Sequence, residues 1–352
     1  MRRALLGALA AVVAAAVVVQ SGGGALEGVR VPPGFHVGIF ARGLAHPTAL
    51  AWGPRRLLYA TEDGGTLVAT ARGSTHPRVV ATGLRTPLGL AWWGRTVFVS
   101  EQGRLERLTL GAAGRATDRA TVVSGLPYGR HQQDNVVVGP DRRLYFGSGS
   151  TCDVCRERSR LSAAVLSVRM DGSDLRVVAT GLRNPYGLAF QPRTRRLYAS
   201  VNGQDQLGSA RDPEPAETVV SIRRGRWYGW PSCWPNARLL RLSGRCRGAT
   251  PPAAYLEPHS SADGVAFYTG SSFGRAYRGD LFVAEWGQYD SNRFGRRVVR
   301  VRLGRTGRES RVSVFAGGFD HPLALAVDGR GALLVADWGR GVIYRIQRNG
   351  RA

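Results

Sequence analysis

The chain has 352 residues, of which 43% are hydrophobic, and its 49 basic residues against 25 acidic ones give a formal net charge of +24. That length is enough to bury a large core within one closed all-β domain. Every basic residue is an arginine, and the arginines are scattered through turns and strand ends instead of forming a run, which argues against a specific nucleic-acid partner and leaves only a diffuse attraction to acidic surfaces.

Residues 1–25 begin Met-Arg-Arg, continue in an Ala- and Val-rich run from Ala4 to Val19, and end in small residues. This is the layout of a secretory signal peptide; the alternative is an uncleaved N-terminal anchor, since the apolar run is nearly long enough to span a bilayer. Either reading makes the protein exported, with a membrane tether in the second case.

From residue 31 to 348 one phrase returns. A β-rich run is followed by Gly-Leu or Gly-Phe, a short turn often closed by Pro, an apolar strand and then a second strand. GLAHPTALAW starts at Gly43, GLRTPLGLAWW at Gly83, a looser GLPYGRHQQDNVVV at Gly125, GLRNPYGLAF at Gly181 and GFDHPLALAV at Gly318. Spacings of roughly forty to fifty-five residues along the early copies suit one four-stranded propeller blade each. The second strands read RLLYATE, TVFVSEQ, RLYFGSG, RLYASVN, DLFVAEW and ALLVADW, and six of them predict a six-bladed β-propeller. The last repeat supplies only three strands. The early segment FHVGIFARGL is expected to complete its blade, so that the ring is closed by both termini and leaves few open edges. The stretches from Leu207 to Glu217 and from Trp230 to Ala262 read as long loops over the ring, where a site is expected.

Four cysteines, Cys152, Cys155, Cys233 and Cys246, favour two disulfides in an exported chain over a zinc site, whose ribbon spacing would need two CxxC pairs. Three pairings are possible, and Cys152 with Cys155 and Cys233 with Cys246 is the expected one.

A propeller alone does not define an activity. Among six histidines, His131 stands just before a predicted inner strand, where a side chain can reach the central channel and an imidazole can take a hydroxyl proton; a surface loop histidine is an equal alternative from spacing alone.

The segment His131 to Gly147, with Gly-Pro-Asp eight residues after the histidine and Leu-Tyr beyond, resembles the motif of soluble quinoprotein glucose dehydrogenases and their sorbosone-dehydrogenase relatives. GLRNPYGLAF, LYASVNGQDQLG and WYGWPSC follow in that family's order, and GSTCDVC, VAFYTGSSFGRAYRGDLFVAEWG and GVIYRI are similar to the sorbosone branch. The resemblance runs from about Val31 to Ile346. It implies oxidation of a sugar or polyol hydroxyl by pyrroloquinoline quinone (PQQ) with a calcium ion, electrons passing on to an acceptor in the cell envelope. It implies His131 as catalytic base, Arg183 and Asn184 as cofactor contacts, and the backbone carbonyls of Gly203 and Gln204 as calcium ligands, with Asp205 beside them.

Two positions depart from the pattern. Asn135 stands where an arginine is expected four residues after the histidine, and Asp320-His321-Pro322 stands at a final-blade arginine position, leaving His321 as a substitute cofactor donor and Arg296 and Arg297 as replacements of unknown place. Two rival readings are a calcium-dependent propeller hydrolase such as a lactonase, with Glu62, Asn135, Asn184 and Asp263 around a metal, and a non-catalytic ligand-binding propeller.

Overall fold

The structure, a computed structural model, describes residues 26–205, 208–209, 212–213, 215–289, 291–304 and 310–349. The expected signal or anchor over residues 1–25 lies outside them, and no helix among the described residues is long and apolar enough to cross a membrane.

Six antiparallel sheets of four principal strands each form the blades of a propeller. The inner strands are Pro47–Trp52, Gly89–Trp93, Gln133–Val138, Leu188–Phe190, Ala262–Phe267 and Pro322–Val327, in blades one to six. Blade six consists of Pro322–Val327, Leu333–Asp337, Val342–Arg348 and, outermost, the N-terminal strand Phe35–Ala41, with Phe35 opposite Arg348. The ring therefore closes as expected, by joining the two ends of the chain in one sheet.

Alternation of side chains along each strand gives each blade two apolar faces. The core is divided accordingly into six buried clusters, one at each blade-to-blade contact, and a seventh, smaller one of Tyr186, Trp286 and Leu323 where the blades meet at the centre. Phe35, Phe282 and Tyr344 lie between blades five and six, and Leu58, Val68 and Leu334 between six and one. Tyr59 and Val99 lie between one and two, Phe98 and Phe146 between two and three, Val165 and Leu188 between three and four, and Tyr198 and Leu281 between four and five.

Near the axis the inner strands of blades four, five and six come so close that no large residue fits on the side facing the next blade at Gly187 and Gly264. A Cβ on Gly187 would collide with the backbone of Asp263, and one on Gly264 with the backbone of Leu323 and Ala324. Hydroxyls on the second strands brace the same contacts: Ser100 Oγ donates to the carbonyl of Asp134, and Ser200 Oγ to that of Asp263 at 2.5 Å.

The expected loop from Trp230 to Ala262 is more structured than its sequence suggests. The chain leaves the third strand of blade four, Thr218–Ser221, to add Arg226–Trp227 to the edge of blade three. It then makes the hairpin Cys233–Asn236 with Arg241–Gly244 and returns as the outer strand Ala254–Tyr255. A disulfide between Cys233 and Cys246 ties that hairpin, and Cys152 pairs with Cys155.

Candidate active site

The turns that precede the inner strands and the ends of the second strands surround a central cavity of about 790 Å³. Blade three brings Arg130 and His131 to its wall, blade four brings Arg183, Asn184, Asn202 and Asp205, and blades five and six bring Trp286, Tyr289 and Trp338. One side is thus charged and polar and the other aromatic.

His131 is fixed by its Nδ1, which lies 3.1 Å from the Ser150 carbonyl and 3.0 Å from Ser150 Oγ. A carbonyl only accepts, so Nδ1 carries the proton and Nε2 keeps its lone pair. No described residue holds Nε2, so it is the ring atom presented to the cavity. Burial, and next the positive charge of Arg183, lower the pKa of His131 to about 4, so the imidazole is neutral at physiological pH.

His131 meets Asn184 because residue 149 is a glycine. A Cβ there would strike the His131 Cβ and lie 2.5 Å from Asn184 Oδ1, an oxygen that is buried without a hydrogen-bond partner. Asn184 is anchored through its backbone, its carbonyl accepting from Asn202 N at 3.0 Å.

Arg183 is only 3% exposed and is oriented by two carboxylates. Its Nη2 lies 2.7 Å from Asp153 Oδ1 and 2.7 Å from Asp205 Oδ2, and its Nε donates to Asp153 at 3.1 Å. Asp153 sits inside the Cys152–Cys155 disulfide loop, whose main chain is clamped by Trp230 Nε1 donating to the Asp153 carbonyl at 3.1 Å. Burial raises the Asp153 carboxyl, but the amide of Asp205 and the guanidinium of Arg183 outweigh it and hold its pKa below the ordinary value. Asp205 also pairs with Arg130, so the two cations and two carboxylates form one chain of charge at the cavity edge.

Gly203 and Gln204 lie one step behind this wall, between Asn202 and Asp205, which line it. Their carbonyls accept no hydrogen bond from described residues, while Gly203 N donates to Glu217 Oε2 at 2.6 Å and Gln204 Nε2 to the Pro231 carbonyl at 3.1 Å. Burial lifts the Glu217 carboxyl to about 8. Two carbonyls that no described residue uses, beside the Asp205 carboxylate, are oxygen donors of the kind a hard cation takes.

His321 is 7% exposed and does not line the cavity; it packs behind Trp286, with ring centroids 4.0 Å apart. Its Nδ1 lies 3.1 Å from Asp320 Oδ1, and Arg296 binds the same oxygen at 2.7 Å. Arg297 is taken up by Glu257 and Glu285, at 2.8 and 2.5 Å. Neither arginine lines the cavity. Glu62 accepts from the Ala45 amide at 2.8 Å and from Thr66 Oγ1 at 2.5 Å, a brace for the turn that Glu101 repeats with Arg85 N in blade two. Asp263 does reach the cavity, and Asn135 Oδ1 is buried without a partner.

Arg130 and the aromatic wall were not singled out by the sequence. The wall had a signal: Trp286 and Trp338 occupy the same place, directly after the acidic end of the second strand in DLFVAEW and ALLVADW. With Tyr289 they form edge contacts, Trp286 to Tyr289 at 4.5 Å and Trp286 to Trp338 at 5.9 Å between centroids.

The family model for glucose/sorbosone dehydrogenases matches residues 100–336, which takes in both His131 and Arg183. The chain belongs to the glucose/sorbosone dehydrogenase family. Solved structures of the same fold include the holo form of the pyranose dehydrogenase PQQ domain from Coprinopsis cinerea, 20% identical, with a TM-score of 0.76 over 91% of this chain and 97% of that one. The PQQ-bound aldose sugar dehydrogenase from Streptomyces coelicolor is 22% identical, with a TM-score of 0.71 over 91% of this chain and 100% of that one. An uncharacterized protein of Borreliella burgdorferi is 23% identical over 90% of each chain. This glucose/sorbosone dehydrogenase family member therefore carries a sugar-dehydrogenase-type propeller, and its cavity lies where the turns of all six blades meet.

Proposed function

We propose that this protein oxidises a hydroxyl group of a sugar or polyol in the central cavity, using PQQ and calcium. The observation that carries the reading is the arrangement of His131, whose Nδ1 is tied to Ser150 while its neutral Nε2 is left to the cavity beside Arg183 and Asn184. Arg183 and Arg130 offer planar cationic donors to the carboxylates of PQQ, Asn184 offers an amide, and the carbonyls of Gly203 and Gln204, which accept no hydrogen bond from described residues, offer calcium ligands. A bound o-quinone supplies a two-electron acceptor for the hydrogen on the carbinol carbon.

His131 Nε2 accepts the hydroxyl proton as the C–H bond breaks, and the Ser150 carbonyl stabilises the imidazolium that forms through its bond to Nδ1–H. The aromatic side of the cavity excludes water and gives the less polar face of a sugar ring a surface to lie on. The physiological acceptor belongs to the cell envelope on this reading, and two disulfides suit a protein exported to an oxidising compartment.

Hydrolysis at an open metal is less well supported, because Glu62 is used as a turn brace and Asn184 Oδ1 faces Gly149. The test is reconstitution of the chain with PQQ and calcium, followed by dye reduction over aldoses, sorbosone and polyols, with lactones as a quinone-free control. Quinone-dependent dye reduction that His131→Ala abolishes while PQQ binding persists is the expected result. Folded protein that binds no quinone, or that opens lactones without it, would overturn the proposal.

A further inference from the structure

At the cavity floor, four inner strands begin with a break in register, between Pro47 and Ala49, Gln133 and Val136, Ala262 and Val265, and Pro322 and Ala324. A bulge of this kind re-aims the side chain it carries. Aligning the repeats places Thr48, Leu88, Asp134, Tyr186, Asp263 and Leu323 at one level, and five of the six line the cavity. Asp134 is the sixth; it lies just behind, 1% exposed.

The two acids at this level are treated unlike any other. Every other buried carboxylate among the described residues is held by an arginine or a backbone amide: Glu62 and Glu217 by amides, Glu106 and Glu285 by arginines, and Glu101 and Asp337 by both. Asp263 has only neutral side-chain donors, Asn202 Nδ2 at 3.0 Å and Ser261 Oγ at 3.0 Å, and Asp134 Oδ2 has no partner. The chain has 49 arginines, and among the described residues none forms an ion pair with either acid.

Two further oxygens in this region are buried and unpartnered. Tyr186 is 8% exposed and its hydroxyl makes no hydrogen bond, and Asn202, 9% exposed, commits its Nδ2 to Ser261 and Asp263 and leaves Oδ1 without one. The phenol of Tyr186 is driven far up by burial and next by the charges of Asp263 and Asp134, which puts it within the field of both carboxyls. Burial and the neighbouring Asp263 likewise drive Asp134 well above the carboxylate range, and burial takes Asp263 to about 7. Buried polar atoms left in this state are costly unless something fills the gap among them.

We propose that Asp134 and Asp263, with the Tyr186 hydroxyl and Asn202 Oδ1, form a site on the propeller axis for a hard divalent cation, calcium by its all-oxygen donors. The ion ties blades three, four and five together at the cavity floor, which Tyr186, Asn202 and Asp263 line. It is distinct from a cation held by the carbonyls of Gly203 and Gln204 and requires no quinone; because Asp263 lines the cavity, lactone opening with calcium alone is the control that separates a structural ion from a hydrolytic one. Oxygen donors only, two of them carboxylates, exclude the softer metals that prefer sulfur or imidazole.

The direct test is a crystal of the chain grown with calcium and without PQQ, examined for calcium anomalous scattering. The expected result is a peak at about 2.3–2.6 Å from Asp134 Oδ2 and an Asp263 oxygen. In solution, calcium retained per chain after gel filtration should fall by one in Asp134→Asn, and the rise in Tm that calcium gives the parent chain should be lost. An axis holding only water, or two carboxyls sharing a proton with no anomalous peak, overturns the site even if Asp134→Asn fails to fold. A peak at Gly203 and Gln204 alone also overturns it and leaves the quinone reading intact.

Discussion

His131 illustrates how one residue's environment sets its chemistry. Desolvation and the Arg183 guanidinium both disfavour the imidazolium, so the ring titrates at about 4 where a free histidine does so at 6.5. In the quinone-free chain, an NMR titration of the His131 ring should give a midpoint near the lower value. Arg183→Gln removes a repelling cation, so protonation becomes easier and the midpoint moves up toward 6.5. A midpoint that stays put would mean Arg183 does not act on the ring. Gly149 is the second residue-scale control. Gly149→Ala forces His131 away from Asn184, and a displacement of about 1 Å at a reacting group costs roughly 100-fold in turnover; circular dichroism should show the fold retained, and an active variant would place the base elsewhere. His131 could be picked from the sequence because its place before an inner strand and its distance to Gly-Pro-Asp are both local. Asp134, three residues on, could not: its isolation depends on a bulge and on Asp263 two blades away.

At the scale of the element, the inner strand is the unit that carries both fold and site. Its first residues turn into the channel, a glycine stands where the neighbouring blade comes closest, as at Gly187 and Gly264, and its apolar remainder fills the cluster between blades. Gly264→Ala should therefore destabilise the chain by about 3 kcal/mol, as overpacking does, measured by chemical denaturation. A loss near zero would show that blades five and six are less tightly joined than described. Repeats of Gly-Leu, turn and paired strands made these elements legible, since each is specified by residues close together in sequence. The segment from Trp230 to Ala262 reads as a loop because its strands are short, two to four residues: Cys233–Asn236 and Arg241–Gly244 pair only with each other, and Ala254–Tyr255 pairs with Thr218–Ser221, an edge set down earlier in the chain. The acidic ends of the second strands misled in another way: Glu62 looks like a metal ligand in isolation, and only its hydrogen bond to Ala45 N shows it to be a turn brace repeated by Glu101 and Asp337.

The whole molecule depends on closing a ring. Phe35 opens the strand that completes blade six, and its ring packs edge-on against Phe273 and Phe315 at centroid distances of 4.8 and 5.3 Å. Removing it in Phe35→Ala should cost about 3–5 kcal/mol, as for other buried aromatics, visible as a lower denaturation midpoint. An unchanged midpoint would mean that the N-terminal strand is an accessory to the ring. Closure was legible because the last repeat lacks a strand and FHVGIFARGL offers one. The cavity was legible only in part, since its aromatic side is assembled from two blades and its charged side from a disulfide loop that reaches across to Arg183. The central claim, that this cavity moves a hydroxyl proton to His131 while a quinone is reduced, is tested most directly by an anaerobic single turnover. The chain loaded with PQQ and calcium is mixed with excess sugar, and the quinone absorbance is followed against time. The account predicts full loss of the oxidised quinone spectrum in the parent chain and a spectrum that stays oxidised in His131→Ala with the quinone still bound. Reduction at equal rates in both would contradict it.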